Sequence, residues 1–456
     1  MNKDDVSLDK LFYPDSIAVI GASNSEGKLG YNVFKNLLTN GYSKRLYPVN
    51  SKTDEVQGVR AYGSVLDIDD EVDVAIIIVP ASATLKAIEE CCKKKIKFVV
   101  NEAAGFSEIG DEGRVLEESI KESLEGSETR MLGPNCTGII NTNAGVVQSI
   151  GVVEALEAGN IGLIGQAGVY AAGILWGLRK IMNFGIIATV GNKLDINETD
   201  ILSFLGGDDN IDVICMYVED VKAGNRFIDV ATEVVKKKPI IALKGGRTST
   251  GQKVAASHTA SIAGDSKIYD AVFKQCKIIK AADNDDMFET ARAFSKQPLP
   301  KGPKVMIISY AGSMGVTATD TCYENGLELA ELSKESISKL RGILPPYIDA
   351  KNPVDFTFDQ TGEQVAEVIK IGEYDEGVNA FVVVIQAEKA ESYIEPLKGI
   401  RPTNKPVLLC IPSMEFVMES VTELEGLGYP VYSNGETAVK ILSKMYGYYN
   451  NCGFYG

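Results

Sequence analysis

The 456-residue chain contains a single histidine, His258, and this residue is the first candidate for chemistry. It lies in the segment "GQKVAASHTASIAGD" (251–265), where most neighbours are alanine, serine, threonine or glycine. Imidazole titrates near neutral pH, and its ring nitrogen can accept a group and pass it on. Small neighbours would leave room for a bulky partner beside the ring. His258 is therefore a candidate carrier of a transferred group, and the alternative is a polar surface histidine without a chemical role.

Charge and cysteine content narrow the classes of ligand that the chain can bind. The formal net charge of -16 argues against nucleic acid or an anionic membrane as a partner, because both require a basic surface. The eight cysteines form no CxxC pair and, with one histidine, provide no zinc ligand set. We therefore expect reduced thiols and no metal site. If the ligand is a phosphate ester, its cationic contacts must be local.

The sequence lacks the patterns that direct a chain to a membrane or through one. No window approaches the ~20 uninterrupted apolar residues of a membrane span. The N-terminus, "MNKDDVSLDKLFYPDS", is too charged for a signal peptide. We expect a cytoplasmic protein.

Ten short apolar runs recur along the chain and are separated mostly by amphipathic helical stretches. They are "SIAVIGAS", "DVAIIIVPA", "KFVVNEAAGF", "NIGLIGQAG", "GIIATVG", "DVICMYVED", "PIIALKGG", "KVMIISYAG", "AFVVVIQAE" and "PVLLCIPS". This alternation predicts an α/β protein with parallel sheets covered on both faces. Composition changes at 151–160 and in the linker-like "SKQPLPKGPK" (295–304). We predict three Rossmann-like or flavodoxin-like domains, at 1–150, 151–297 and 303–456.

The first strand-to-helix loop, "IGASNSEGKLGYNVFKNL", places Gly21, Gly27 and Gly30 where backbone N–H groups could cradle a phosphate. Its glycine spacing is not GxGxxG. It is not a P-loop either, because Ala22 and Leu29 stand where that motif requires glycine and a hydroxyl residue. We infer a phosphate-bearing ligand at this loop, with a purely structural turn as the alternative. No nucleoside triphosphate site is expected on this chain.

Several motifs, taken in order, resemble those of one enzyme family. They are "SIAVIGASNSEGKLGYNVFKNL", "YPVNSKTDEVQGVRAYGS", "IIIVPA", "GPNCTGIINT", "GQAG", "VGNKLDINETDILSFL", "SHTASIAG" and "NPVDFT". Across essentially the whole chain, this series is similar to the α subunit of the ADP-forming acyl-CoA synthetases, or acetate–CoA ligases, of the succinyl-CoA synthetase superfamily. The resemblance implies a CoA-binding Rossmann-like domain at 1–150, a flavodoxin-like ligase domain with the phosphohistidine loop at 151–297, and a second flavodoxin-like ligase domain at 303–456.

The resemblance also implies a reversible reaction. Acyl-CoA and phosphate give an acyl phosphate and free CoA, and the phosphoryl group passes to His258. An ATP-grasp β subunit, in an α₂β₂ assembly, then transfers it to ADP bound there with Mg²⁺, which yields ATP and the carboxylic acid. Several carboxylic acids, and GDP in place of ADP, are equally compatible with the motifs.

For the phosphoryl transfer, the resemblance assigns Glu219 to the second ring nitrogen of His258, where it would fix the tautomer, and Asp220 is a competitor for that role. The "GQAG" turn would begin a helix whose N–H groups meet the phosphate through Gly165, Gln166, Ala167 and Gly168. The family commonly has serines where Gly165 and Ala167 stand, and glycine where Ala260 stands. We expect phosphorylation to survive these departures through backbone donation.

For coenzyme A, the resemblance points to residues on the loops of the first domain. They are Gly21, Ser23, Lys28, Asn50, Lys52, Val79, Pro80 and, near the reactive end, Asn135. Cys136 is interpreted as a packing residue, because CoA brings its own thiol. A CoA-binding regulatory protein that has lost turnover is the main alternative function. An oxidoreductase is a weaker one, because the first loop lacks GxGxxG.

Overall fold

The computed structural model describes residues 6–154, 156–259 and 265–453, and of residues 255–259 it describes only the backbone. The side chain of His258 and the position of Ala260 therefore lie outside what is described. The chain divides into two compact units, Met1–Met287 and Phe288–Gly456. In the described part of the chain, no helix is both long and apolar enough to cross a bilayer.

The first unit begins with a five-stranded parallel sheet whose strand order is β2-β1-β5-β6-β7. Its central strands are buried on both faces, as expected for a parallel sheet between helices. The strands are β1 (Ser16–Ile20), β2 (Arg45–Val49), β5 (Val74–Ile77), β6 (Phe98–Asn101) and β7 (Arg130–Leu132), with a separate hairpin of β3 (Glu55–Val56) and β4 (Val59–Arg60). The helices are α1 (Asp9–Phe12), α2 (Leu29–Thr39), α3 (Ala81–Lys94) and α4 (Asp111–Glu125).

A seven-stranded sheet of order β14-β13-β12-β10-β11-β8-β9 completes the first unit. It is mixed, because β8 pairs antiparallel with β11 and with β9, whereas five strands run parallel. The strands are β8 (Ile139–Asn141), β9 (Val146–Val147), β10 (Ile161–Gly165), β11 (Phe184–Thr189), β12 (Val213–Val218), β13 (Ile240–Lys244) and β14 (Ile279–Lys280). The helices are α5 (Gly173–Leu178), α6 (Glu198–Gly207), α7 (Gly224–Val234), α8 (Ser249–Thr259), α9 (Ser266–Gln275) and α10 (Asn284–Lys296), which continues into the second unit.

The second unit is built on one parallel sheet of six strands, in which β15 lies between β18 and both β16 and β17. Its strands are β15 (Lys304–Ser309), β16 (Glu328–Leu329), β17 (Val354–Asp355), β18 (Ala380–Val384), β19 (Val407–Cys410) and β20 (Val431–Tyr432). Its helices are α11 (Gly312–Glu324), α12 (Lys334–Arg341), α13 (Gly362–Tyr374), α14 (Ile394–Lys398), α15 (Met418–Gly426) and α16 (Gly435–Cys452). Each of the ten apolar runs contains a strand, so the α/β fold with parallel sheets is confirmed.

Within the first unit, the turn at 133–138 and the segment at 189–196 meet at the carboxyl ends of the parallel strands of the two sheets. The backbone N–H groups of Asn192 and Leu194 donate to Pro134 and Gly133 at 2.9 and 3.1 Å. A Cβ on Gly191 would lie 2.1 Å from the carbonyl oxygen of Pro134, so this contact requires glycine. The glycine also adopts the left-handed conformation, with φ 55°.

A buried arginine reinforces this junction. The Nε of Arg130, at the start of β7, donates to both carboxylate oxygens of Asp195 at 2.8 and 3.0 Å. One Nη of Arg130 lies 3.6 Å from Asp200 in the first turn of α6. The arginine side chain is only 2% exposed, so its charge depends on these two carboxylates for compensation.

We expect Arg130→Met to lower the free energy of unfolding of the first unit by about 3–5 kcal/mol, because two carboxylates lose a buried partner. Urea unfolding followed by the fluorescence of Trp176, the chain's one tryptophan, would measure it. The control is Arg114→Met, which removes an exposed ion pair with Asp111 and should cost about 0–1 kcal/mol. Equal losses in the two variants would contradict the proposed stabilising role of the Arg130 cluster.

Candidate active site

The candidate acid residues stand at the end of β12, near the middle of the seven-stranded sheet. Glu219 and Asp220 follow this strand directly and are 4% and 8% exposed. Their backbone N–H groups donate to the side-chain carbonyl oxygen of Gln166 at 2.8 and 3.2 Å. Gln166 follows the neighbouring strand β10. The "GQAG" turn and the acidic strand end are therefore held together by one amide side chain.

The carboxylate of Asp220 is engaged in an ion pair. The ammonium of Lys193 lies 2.5 Å from one oxygen of Asp220, and the amide nitrogen of Gln166 donates to the same oxygen at 2.7 Å. Burial by itself would raise the pKa of Asp220, but the Lys193 charge and these hydrogen bonds outweigh burial and lower the pKa. This engagement favours Glu219 over Asp220 as the partner of a histidine.

Two stacked tyrosines border Glu219. The hydroxyl of Tyr217 donates to one carboxylate oxygen of Glu219 at 3.2 Å. The ring of Tyr217 stacks on that of Tyr170 with a centroid separation of 4.8 Å. Tyr170 lies so close to Gly165 that a Cβ added there would be 2.8 Å from the Cβ of Tyr170. The packing of Tyr170 thus gives a physical reason for glycine, rather than a larger residue, at position 165.

The helix expected after the "GQAG" turn differs from the helix observed. Gly168–Ala171 form a 3-10 helix, and α5 follows with six residues. The macrodipole expected of a regular α-helix is therefore weak here, and individual N–H groups remain the available donors. The hydroxyl of Thr137 approaches the same turn, since a Cβ on Gly168 would lie 2.2 Å from it. Sequence reasoning did not single out Thr137.

The segment that carries His258 is helical rather than an open loop as far as Thr259. Helix α8 begins five residues after β13, the strand beside β12, so it starts at the same sheet edge as Glu219. The Cα atoms of α8 come within 8 Å of the 3-10 turn Ser107–Ile109, which follows β6 in the first sheet. The helix therefore extends from the strand ends of the second sheet toward those of the first.

Lys244 places a second buried cation at this edge, at the end of β13. Its ammonium lies 4.7 Å from the ring centroid of Tyr269 in α9. Burial lowers the pKa of Lys244, although the charges of Glu219 and Asp220 oppose that change. Among the residues that the structure describes, no group of three histidine, cysteine or acidic side chains could hold a metal ion.

Most of the residues expected at coenzyme A surround the carboxyl ends of β1, β2 and β5. The amide of Asn50 donates to the carbonyl of Ala22 at 2.8 Å and also accepts from the N–H of Lys52. Gly21 has φ 98°, and a Cβ on it would be 2.5 Å from the carbonyl oxygen of Ile78, so the loop packs directly against the next strand end. Ser23, Lys28, Val79 and Pro80 lie on the same loops, with Lys28 exposed.

Asn135 lies on the turn at 133–138, beside the end of β6. Its N–H donates to the carbonyl of Ala103 at 2.9 Å, and its amide donates to Asn192 at 3.3 Å. The neighbouring Cys136 is buried, with its sulfur 3.3 Å from the carbonyl oxygen of Asn101. Burial raises the pKa of this thiol far above its usual range, which agrees with a packing role.

Two buried polar side chains that sequence reasoning missed also lie at the end of β6. Within the described residues, the Nδ2 of Asn101 and the Oε2 of Glu102 have no hydrogen-bond partner. The other Glu102 oxygen accepts from the amide of Gln148 at 2.5 Å. Burial raises the pKa of Glu102 from its ordinary value of 4.5 to about 8, and the Gln148 hydrogen bond only partly opposes this rise. Glu102 is thus a carboxyl group that can hold a proton at neutral pH.

Comparison with known proteins assigns this arrangement to a family. Family models match in three places: a CoA binding domain at 15–142, a succinyl-CoA ligase like flavodoxin domain at 158–294, and a Ligase-CoA domain at 305–388. The acetate–CoA ligase [ADP-forming] II subunit alpha of Pyrococcus furiosus is 41% identical over 440 residues, which cover 94% of this chain and 95% of the relative. The chain belongs to the ADP-forming acetate–CoA ligase α-subunit family. It is an acid–thiol ligase subunit, as the resemblance implied.

Other members of the ligase family extend the comparison. The acetate–CoA ligase [ADP-forming] II of Archaeoglobus fulgidus is 38% identical over 97% of this chain, which corresponds to 67% of the relative. The solved structure of the dinucleotide forming acetyl-coenzyme A synthetase 1 of Ca. Korarchaeum cryptofilum, in complex with phosphate and ADP, superposes with a TM-score of 0.91 at 33% identity. That match covers 98% of this chain and 97% of the solved one.

The raised pKa of Glu102 predicts how the stability of the protein depends on pH. Because its folded pKa is raised, the folded protein holds a proton that the unfolded chain has released. Stability is therefore lost as the pH rises from about 4.5 to about 8, by up to about 1.4 kcal/mol per pH unit. Glu102→Gln should remove this loss, so the variant gains stability over the unmutated chain across that window.

Urea unfolding of the two proteins at a series of pH values, followed by Trp176 fluorescence, provides the measurement. Glu118→Gln is the control, because Glu118 is exposed and pairs with Lys121 only at the surface. The free energy of unfolding of this control should differ from that of the unmutated chain by a nearly constant amount across the pH series. If the free energy of unfolding of Glu102→Gln also differs from that of the unmutated chain by a constant amount, Glu102 is already ionised in the folded protein across this pH window.

Proposed function

We propose that this chain is the catalytic α subunit of a nucleoside diphosphate-forming acyl-CoA synthetase. The reaction converts acyl-CoA, phosphate and ADP to the carboxylic acid, CoA and ATP, and it is reversible. The observation that carries the proposal is the position of helix α8. This helix bears His258, follows β13, the strand beside the one that leads to Glu219, and comes near the turn that follows β6 in the CoA-binding sheet.

The first step joins phosphate to the acyl group. A phosphate oxygen attacks the thioester carbonyl, the carbon–sulfur bond breaks, and CoA leaves as a thiolate that needs a proton. Glu102, neutral near pH 7 and next to the turn that carries Asn135, can supply that proton and recover it in the reverse direction. The amide nitrogen of Asn101, which has no partner among the residues that the structure describes, is a donor suited to the carbonyl oxygen of the bound acyl group.

The second step transfers the phosphoryl group to His258. A neutral ring nitrogen attacks phosphorus, the bond from phosphorus to the acyl oxygen breaks, and the carboxylate leaves. Glu219 would accept a hydrogen bond from the second ring nitrogen and stabilise the charge that develops on the imidazole. The turn of Gly165, Gln166, Ala167 and Gly168 offers backbone N–H groups to the phosphate.

The third step, transfer to ADP, is proposed to take place on a second polypeptide of the ATP-grasp type that binds ADP with Mg²⁺, in an α₂β₂ assembly. Two facts support this division. The Pyrococcus relative is named as an alpha subunit, whereas the Archaeoglobus relative continues well beyond the part that this chain matches. Because CoA esters and ADP are intracellular metabolites, we propose a cytoplasmic location.

Phosphorylation of His258 is directly testable. Incubation with acetyl-CoA and ³²P-phosphate, or with acetyl phosphate, should add one acid-labile, base-stable phosphate per chain, and His258→Ala should abolish it. Glu219→Gln should slow labelling by roughly two to four orders of magnitude, because the ring loses its orienting acid. The control, Glu233→Gln, alters an exposed acid on α7 and should label at the normal rate. Labelling of His258→Ala would refute the assignment.

The proposal that ADP binds to a second polypeptide predicts what the isolated chain can and cannot do. The purified chain should label His258 yet form no ATP from acetyl-CoA, phosphate, ADP and Mg²⁺. Addition of an ATP-grasp β subunit from the same organism should restore ATP formation, measured with a luciferase assay. The chain with His258→Ala plus the β subunit serves as the control and should stay inactive. ATP formation by the isolated chain at the rate of the assembled enzyme would place a nucleotide site on this chain.

A further inference from the structure

Lys193, a buried lysine to which the reaction steps above give no role, pairs with Asp220 next to Glu219. Lys193 has a side chain that is 1% exposed, and its backbone adopts the left-handed conformation with φ 55°. Lysine seldom adopts this conformation, and an ammonium is costly to bury without compensating charge. A specific set of partners must therefore stabilise it.

The partners of Lys193 come from two strand ends and one helix start. The ammonium donates to the carboxylate and the carbonyl of Asp220 at 2.5 and 2.9 Å, and to the side-chain oxygen of Gln166 at 3.2 Å. It also lies 3.1 Å from the fully buried carboxylate of Glu198, in the first turn of α6. Since Lys193 follows β11, Gln166 follows β10 and Asp220 follows β12, one ammonium joins the ends of three adjacent strands.

Helix α6 holds the far side of this cluster in place. Asn197 caps the helix by accepting from the N–H groups of Thr199 and Asp200 at 2.8 and 3.4 Å. Glu198 then accepts from the N–H of Lys222 at 3.1 Å, which ties the loop after β12 to the same helix start. Glu198 and Lys222 therefore fix one side of the Asp220 loop, and Lys193 fixes the other.

The side-chain amide oxygen of Gln166 links Lys193 to Glu219. This single oxygen accepts from Lys193 and from the backbone N–H groups of Glu219 and Asp220. An ammonium beside the oxygen determines which way the amide faces, because the reversed amide would point its NH₂ group at three donors. With the amide held, the peptide that precedes Glu219 is fixed, and Tyr217 then orients its carboxylate.

We propose that Lys193 is a positioning residue that keeps Glu219 aligned with the phosphate-binding turn for the attack of His258 on phosphorus. The proposal rests on the proposed function. It assigns Lys193 no contact with substrate: the ammonium acts through Gln166 and Asp220. Loss of the charge should therefore misplace Glu219 without removing any group that reacts.

A double-mutant cycle distinguishes positioning from general stabilisation. The variants are Lys193→Met, Glu219→Gln and their combination, and the readout is the rate of His258 labelling from acetyl phosphate. Lys193→Met alone should slow labelling at least about tenfold. The factor by which Glu219→Gln slows labelling should then be at least about tenfold smaller in the Lys193→Met chain than in the unmutated chain, because residues in one network are coupled. Binding of CoA by titration calorimetry should change by less than about twofold.

The matched control is Lys238→Met. Lys238 is a half-buried lysine at the opposite edge of the same sheet, where it donates to the carbonyl of Leu205 at 2.8 Å. Its loss should lower stability, yet Glu219→Gln should keep its full effect in that background. If Lys193→Met does not unfold cooperatively in urea, Lys193→Met/Asp220→Asn replaces it, since the second change removes the carboxylate left without its partner. The same cycle is then run on that background.

The outcomes separate this proposal from the function on which it rests. If the unmutated chain is never labelled, both fall. If labelling occurs but the losses from Lys193→Met and Glu219→Gln simply multiply, Lys193 is only a stabilising residue, and the phosphohistidine mechanism stands without it.

Discussion

The structure of the first unit depends on a close backbone contact between two glycine-containing turns. Gly191 passes so near Pro134 and Asn135 that no side chain could be accommodated there, and hydrogen bonds on both sides hold the two segments together. One turn belongs to the first sheet and the other to the second. This contact brings the carboxyl ends of the parallel strands in the two sheets next to each other. Asn135, Lys193 and Glu102 all lie close to it.

Local patterns in the sequence predict the framework well, because parallel strands buried on both faces produce continuous apolar runs. Each run ends where a polar or glycine-rich turn begins, and this pattern alone is enough to place Glu219, Gln166 and Gly21 at strand ends. The antiparallel hairpin of β8 and β9 was not expected. Its strands are only three and two residues long, and their pairing partner β11 is more than forty residues away in sequence.

The buried polar groups of the site were harder to predict than its glycines. Glu102 stands in "KFVVNEAAGF" as an ordinary acid after a strand, and only its burial beside Gln148, forty-six residues further on, raises its pKa. Lys193 likewise appears in sequence as a polar loop residue. Its partners Gln166 and Asp220 each lie twenty-seven residues away on either side, so no local pattern reveals the cluster. The expectation that the cationic contacts of a phosphate ligand are local, with Lys28 and Lys52 as the candidates, stays a prediction; Lys193 and Lys244 are buried cations of a different kind.

The contact between Gly165 and Tyr170 has a consequence for how this sequence can evolve. A side chain at 165 would collide with the Cβ of Tyr170, an atom that a new rotamer or a truncation to alanine leaves in place, so that substitution requires the backbone of the turn at 168–171 to shift. Loss of the Tyr170 ring, in turn, removes the stacking partner of Tyr217, which contacts Glu219. A substitution at 165 should therefore persist in a lineage only together with a change in the course of that turn. Glycine at 165 thus restricts how the turn beside Glu219 can evolve.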